Sequence, residues 1–244
     1  MTVRVRASRL AVALALVLAA VAGFVDVCAY MSFGAYAANM TGNAIAFAIG
    51  ATGRAGGAVW ERAATMAFFV AGGLAGAGLI GDTEATSLRG RRLGALLTVE
   101  AALLVAAVLL GPRDRALGVV PIGLGVLAVA AGLQNVSFRR VGGVTVRTTH
   151  ITGSLTRTTE AVAVLARWLM RHGRGRSARR RWTLLRLVPR QPAARTAALV
   201  SGLFAVFVAG GCAGAIALPA WGRSALLAPT LVLLAAALVA HTAG

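Results

Sequence analysis

The sequence predicts an all-α integral membrane protein: six transmembrane helices as two inverted three-helix repeats, each with a short broken or re-entrant helix after its first span. Three observations predict it. The 244 residues are 58% hydrophobic and only 13% charged, against about 25% charged in an ordinary soluble domain. The apolar residues gather into stretches of about 20, the length a helix needs to cross a hydrocarbon core about 30 Å thick. Segments of the first half of the chain recur in the second, the signature of an internal repeat.

The six stretches are Leu10–Tyr30, Ala63–Ile80, Leu93–Leu110, Ala116–Phe138, Thr196–Leu218 and Ser224–Ala240. Each is rich in Ala, Leu, Val and Gly and is bounded by Arg, Asp or Pro. Six crossings fill the length, so residues 1–244 read as a single membrane domain, with repeat one at 10–111 and repeat two at 116–241. The first stretch also resembles a signal peptide: Arg4, Arg6 and Arg9 precede an apolar run that ends in Ala20-Val21-Ala22, a small-x-small pattern. Because the repeat makes this stretch the counterpart of a later helix, it is expected to be retained.

The net charge is +18, and all 25 basic residues are arginines. With the N-terminus in the cytoplasm, twenty arginines fall inside and five outside (Arg54, Arg62, Arg113, Arg115 and Arg223). That sorting follows the positive-inside rule, and it predicts a multi-pass protein of the cytoplasmic membrane with both termini cytoplasmic. Most of the asymmetry comes from the fourteen arginines between Arg139 and Arg195. Cys28 and Cys212 both lie in apolar stretches, without metal-ligand spacing, and read as small buried hydrophobes.

The repeat is legible in three collinear matches. Leu18–Asp26 matches Leu127–Asn135, Met40–Asn43 matches Ile151–Ser154, and Phe69–Ala77 matches Phe207–Ala215. The offset jumps between the second match and the third. That jump places an insertion on the arginine-rich stretch, about 171–195. An odd number of crossings per repeat turns the second half upside down relative to the first, an arrangement common in transporters.

Between the first and second spans, Met31–Gly50 is too polar for a lipid-facing helix and too apolar for a solvated loop. Irregular backbone at membrane depth is tolerated where it is buried in protein or lines a cavity. Asn39, Thr41, Gly42 and Asn43 supply its polar turn, with a short helix expected over Asn43–Ile49. The counterpart, Arg147–Met170, carries Thr149, Thr152 and Gly153, then an apolar stripe of Leu155, Val162, Leu165 and Leu169. In one reading the two Thr-Gly turns meet near the midplane as a binding or permeation site. In the other they cap two interfacial amphipathic helices.

Ionisable residues inside apolar spans are costly, and mark function by default. Asp26, Glu100 and Glu160 stand in or beside such spans, and Glu100 is in the body of the third. A structural pair with Arg140 or Arg147 is the alternative for Glu100. Gln134 and Asn135, at the positions equivalent to Val25 and Asp26, are candidates for the same pathway or for interhelical hydrogen bonds. Gly72 and Gly76, with their equivalents Gly210 and Gly214, have the small-xxx-small spacing that lets helices approach closely. The expectation is that these two helices pack against each other.

Arg171–Arg195 interleaves nine arginines with Trp182, Leu184, Leu185 and Leu187. This pattern suits the surface of an anionic leaflet, so the expected partners are the bilayer and its anionic lipids. No nucleic-acid partner is expected, since no base-reading motif is present. Neither a phosphate loop, HExxH nor GxSxG occurs. No nucleophile–base pair is readable either. Neither an enzyme nor a cofactor or metal is expected.

Ala22–Asp26, Met40–Asn43, Gln134-Asn135, Arg139–Gly143 and Thr149-x-x-Thr152-Gly153, in this order, resemble the YoaK family of bacterial polytopic membrane proteins, a domain of unknown function. The resemblance covers nearly the whole chain. It implies a polytopic inner-membrane protein and supplies no substrate. The arginine-rich insertion departs from a compact member of that family. The functional expectation is a small secondary transporter or channel-like permease for an unknown small solute or ion, with Glu100 as a proton or cation relay. The alternative is a non-transporting scaffold or regulator acting through the basic cytoplasmic segment. A homo-oligomer is open to either.

Overall fold

Left-handed glycines and side-chain caps divide the chain into helices. The computed structural model describes residues 2–53, 59–81, 86–110, 115–116, 120–137, 151–174 and 178–242. Helix α1 (Thr2–Phe33) stops at Gly34, whose φ of 68° only glycine adopts without strain. The Gly34 amide donates back to the Tyr30 carbonyl at 2.7 Å, as a left-handed helix cap does. Helix α2 (Met40–Ala51) starts on Asn39, whose side chain accepts from the Gly42 amide at 3.1 Å. The cap therefore lies at Asn39 rather than in the Thr41–Asn43 turn, and the helix begins three residues earlier than the turn residues imply. A second left-handed glycine, Gly53, follows it. Helix α3 (Val59–Ile80) ends on another, Gly81, whose amide donates to Ala77. Helix α4 (Thr86–Leu109) follows.

The second half opens differently from the sequence expectation. Arg115–Ala116 pairs antiparallel with Val120–Pro121 as a minimal β1–β2 ladder, and helix α5 runs only over Ile122–Ser137. The expected span Ala116–Phe138 is thus shortened at its start. Pro121 disfavours helical backbone in the residue before it, and is well placed just before the first turn. At 1.5 Å per residue, α5 is about 24 Å long.

The counterpart of α2 also departs from expectation. Helix α6 (Ile151–Gly173) is a continuous 23-residue amphipathic helix, not a short broken one. Between Leu155 and Met170 it has neither Gly nor Pro, so nothing interrupts its backbone hydrogen bonds. Helix α7 (Ala178–Leu187) and a 3-10 turn at Val188–Arg190 follow. Helix α8 (Pro192–Trp221) breaks at Gly222, with φ 56°. A 3-10 turn, Gly222–Leu226, then leads into helix α9 (Leu227–Thr242).

Among the described residues, four runs are long and apolar enough to cross a membrane: Arg9–Phe33, Val59–Ile80, Gly90–Leu109 and Pro192–Thr242, the last comprising both α8 and α9. Helices α2 and α5 are apolar but shorter. The chain is a multi-pass membrane protein built from helices. It divides into two compact units, one of Met1–Thr149 with Val206–Gly244, the other of His150–Ala205.

In the first unit, α4 packs on α5 and α9, α3 on α2 and α5, and α1 on α5 and α9. The core is made of Leu18, Leu96, Leu97, Leu104, Leu124, Leu127 and Leu233, all essentially inaccessible. Large apolar side chains also point outward: Leu74 is 71% exposed and Leu238 is 68% exposed, whereas Gly72 and Gly76 are buried. Large residues outside and glycines inside suit a helix whose outer face meets lipid and whose inner face must approach another backbone.

Those close approaches follow one rule. A Cβ on Gly72 would lie 2.1 Å from the Val129 carbonyl oxygen, and one on Gly210 would lie 2.0 Å from that of Ala20. Gly76 faces Leu133, and Gly214 faces Phe24. Gly132 faces the Phe69 carbonyl, and Gly23 faces that of Phe207. Each contact maps onto the other under the sequence offsets of the repeat. The glycines of α3 therefore lie against α5, and those of α8 against α1. The expectation that the two glycine-bearing helices pack through these glycines on each other is corrected: each meets the first helix of the other half.

Candidate functional site

Glu100 stands in the middle of α4, 2% exposed. Its Oε2 atom has no hydrogen-bond partner among the described residues. Buried polar atoms are nearly always paired, and an exception requires an explanation. Beside it is a cavity of about 10 Å3, lined by Glu100 and Leu104 from α4, Ala22 and Val25 from α1, Ala38 from the loop before α2, and Ala130, Ala131 and Gln134 from α5. One water needs roughly 10–15 Å3 of such space and two to four polar partners. The cavity is therefore of single-water size at most, and apart from Glu100 and Gln134 its walls are alkyl.

Gln134 reaches from α5 across to α1, donating through Nε2 to the Leu18 carbonyl at 2.8 Å. This bond ties the middle of α5 to α1 beside the cavity. Asp26, one residue beyond the cavity wall at Val25, is 4% exposed. Its Oδ1 accepts from the amides of Ala38 at 2.7 Å and Asn39 at 3.4 Å. The carboxylate thus pins the loop 34–39 onto α1, and it fixes Ala38 as a wall of the cavity.

A second polar cluster lies on the other side of that loop. Asn43 is fully buried. Its Nδ2 donates to the Tyr36 carbonyl at 2.7 Å, and its Oδ1 accepts from the Tyr36 amide at 3.1 Å and from Arg62 Nη1 at 3.0 Å. Arg62 also donates to the Gly34 carbonyl. The Tyr30 and Tyr36 rings stack with centroids 4.6 Å apart. Desolvation holds the Tyr36 phenol above its usual range; the neighbouring Tyr30 and Asp26 add to this, and Arg62 opposes it. Gly42 has a close-approach role, since a Cβ there would lie 2.8 Å from the Tyr36 ring. The Met40, Gly42 and Asn43 amides at the start of α2 are engaged by Ala38 and Asn39, so most of the helix start is occupied by its own chain.

Of the residues singled out from sequence, the structure brings together Glu100 and Gln134 around the cavity, and Asp26, Asn39, Gly42 and Asn43 around the loop beside it. Thr41 is exposed. Asn135 is half-buried on α5. Glu160 is exposed on α6 and, with Gly153 and Thr152, belongs to the second unit. Arg140, Arg147 and Thr149 lie outside the described residues. Sequence reasoning missed Arg62, read there only as an outside charge. The signal available was its place in the first turns of an apolar helix, opposite an Asn-rich turn.

The model of a protein family of unknown function, DUF1275, matches residues 14–239. The chain belongs to the DUF1275 family. YoaK is a member of it, so the resemblance drawn from the Asp26, Asn43, Gln134 and Thr152 motifs is to the right family. No curated protein matches the chain, and no solved structure does. Within the matched region of this DUF1275 chain lie every helix from the middle of α1 to the last turns of α9, including both polar clusters.

Proposed function

We propose that this DUF1275 protein is a small secondary transporter or channel-like permease of the cytoplasmic membrane, in which Glu100 takes up and releases a proton. The observation that carries this reading is Glu100 Oε2, without a hydrogen-bond partner among the described residues, beside a cavity of about 10 Å3. A carboxyl at membrane depth costs stability, so its presence there marks a functional role by default. The alkyl walls and small volume leave no room for a hydrated cation or an organic solute, and a proton needs no such room. Gln134, which lines the same cavity, is the polar neighbour we assign to exchange hydrogen bonds with it.

The architecture we propose around this site is six crossings, α1, α3, α4, α5, α8 and α9, in two three-helix repeats of inverted topology. Its support is the paired glycine contacts, α3 on α5 and α8 on α1, at repeat-equivalent positions. The arginine distribution supports cytoplasmic termini. In an inverted pair, rocking of one repeat against the other opens a central site to each side in turn.

The test is made on purified protein in liposomes that enclose a pH-sensitive dye. A panel of amino acids, organic acids and amines is offered under an imposed proton gradient. The expected result is solute-dependent proton movement in the wild type that Glu100→Gln removes, with its melting temperature kept. Solute flux equal in wild type and Glu100→Gln at every pH from about 5 to 8 would sink the relay. A panel that moves neither proton nor solute would count against transport itself.

A further inference from the structure

The second unit carries a feature that transport chemistry does not use. Helices α6 and α7 enclose a groove of about 420 Å3, lined by Leu169, Met170, Gly173, Arg174, Leu184 and Leu185. This is within the range of sites that hold small amphiphilic ligands. Leu184 forms its buried floor at 8% exposure, while Met170 and Leu185 are half exposed on its sides. A side chain at Gly173 would meet nothing within 4 Å, so the space is open at that end. Among the described residues of the lining, the one charged group is Arg174.

The surroundings are strongly cationic. From 150 to 205 the sequence has eleven arginines and a single acidic residue, Glu160. Arg171, Arg186 and Arg190 are exposed along with Arg174. Trp182 is 67% exposed on α7, and tryptophan is the residue favoured where headgroups meet hydrocarbon. The groove is also close in the chain to a membrane segment: Pro192, the first residue of the apolar run Pro192–Thr242, follows Leu185 by only seven positions.

We propose that this groove is a binding site for an anionic phospholipid of the bilayer, with an acyl chain against Leu169, Met170, Leu184 and Leu185 and the headgroup phosphate on Arg174. Both halves of the ligand are required by the lining. A polyanion such as nucleic acid has no use for four apolar walls, and a neutral lipid has no use for the arginine. The cationic surroundings draw the headgroup, and the groove makes the contact stoichiometric rather than diffuse.

The experiment is native mass spectrometry of the full chain in detergent, with dioleoyl phosphatidylglycerol or dioleoyl phosphatidylcholine added at equal concentration. The wild type is expected to retain one phosphatidylglycerol in preference to phosphatidylcholine. Removing one near-surface charge in Arg174→Gln is expected to lower that preference about fivefold, and Arg174→Lys to restore most of it. Gly173→Leu fills the groove from a position with no clash, and is expected to reduce both adducts. The proposal is overturned if Arg174→Gln keeps the full preference, or if Gly173→Leu leaves the adducts unchanged. It is equally overturned if a DNA oligonucleotide displaces the lipid mole for mole, or if the groove proves to be covered by a second copy whose dimer Gly173→Leu dissociates.

Discussion

Replacing Gly132 by alanine adds one methyl group at a place where two helix backbones touch. The new Cβ would lie 2.1 Å from the Phe69 carbonyl oxygen and 2.8 Å from the Gly73 amide nitrogen, both backbone atoms that cannot swing aside. Ordinary contact begins at 3.4 Å, so α3 and α5 must separate locally by about 1.3 Å. A radial gap of 0.5–1 Å already forfeits roughly a quarter to a half of the attraction between facing atoms. Overpacking of this kind costs about 1–3 kcal/mol, which in a chain of this size is about 2–12 °C in melting temperature. The repeat-equivalent change, Gly23→Ala, places its Cβ 2.0 Å from the Phe207 carbonyl and should cost the same. Gly78→Ala, on the same helix as Gly73 with nothing within 4 Å of its Cβ, should melt at or above wild type. The assay is thermal unfolding of the purified protein in detergent, followed by intrinsic fluorescence and by loss of the monodisperse peak. Melting of Gly132→Ala and Gly23→Ala within about 1 °C of Gly78→Ala would refute the close-approach argument. A large drop for one and not the other would refute the equivalence of the two contacts.

Asn43→Ala removes all three hydrogen bonds that tie α2 and Arg62 to the Tyr36 backbone. At 0.5–1.5 kcal/mol each it should cost about 2–4 kcal/mol, seen as a lower melting temperature and faster proteolysis within residues 34–39. Asp26→Asn keeps an acceptor for the Ala38 amide and should be mild, whereas Asp26→Val orphans that amide and should cost about 1–3 kcal/mol; the two variants are compared by the same melting assay. Cys212 is exposed on α8, while Cys28 is buried with its thiol directed to the Gly214 carbonyl at 3.8 Å. In detergent a small apolar maleimide should therefore add one equivalent, lost in Cys212→Ala, and mass spectrometry counts it. Two equivalents from the folded protein would contradict the α1–α8 packing.

The membrane class, the helices and the repeat were legible because each is written locally or at a fixed offset. Apolar runs of about 20 residues need no partner to be recognised, and the Phe69–Ala77 and Phe207–Ala215 match is visible by inspection. Glycine and asparagine stops also act locally, as at Gly34, Gly81 and Asn39. Element ends were less legible. The start of α5 depends on Pro121 and on a two-residue ladder, and neither alters the apolar average that marks a span. Helix α6 shares a Thr-Gly start with α2, yet its length is set by the arginine-rich, glycine-free residues that follow.

The candidate site divides in the same way. Composition alone marked Glu100, Asp26 and Asn43 as polar groups in apolar company, because burying such groups is costly wherever the chain puts them. It could not assign their roles. Asp26 accepts from the loop amides of Ala38 and Asn39, and Asn43 is hydrogen-bonded to the Tyr36 backbone and to Arg62, so both hold the loop 34–39 in place. Glu100 has an oxygen without a partner among the described residues, and that distinction arises only when α1, α4 and α5 close around it. The pairing of glycines likewise required the tertiary structure. The small-xxx-small spacing says that a backbone will come close, but which backbone is decided by how the two halves cross. Sequence by itself determined that this chain spans a membrane in helices, and that segments of its first half recur in its second. Only the packing decided which helices touch and which buried carboxyl borders a small cavity. Local hydrophobicity and backbone stops are properties of neighbours in the chain, whereas satisfaction of a buried polar atom depends on residues a hundred positions away.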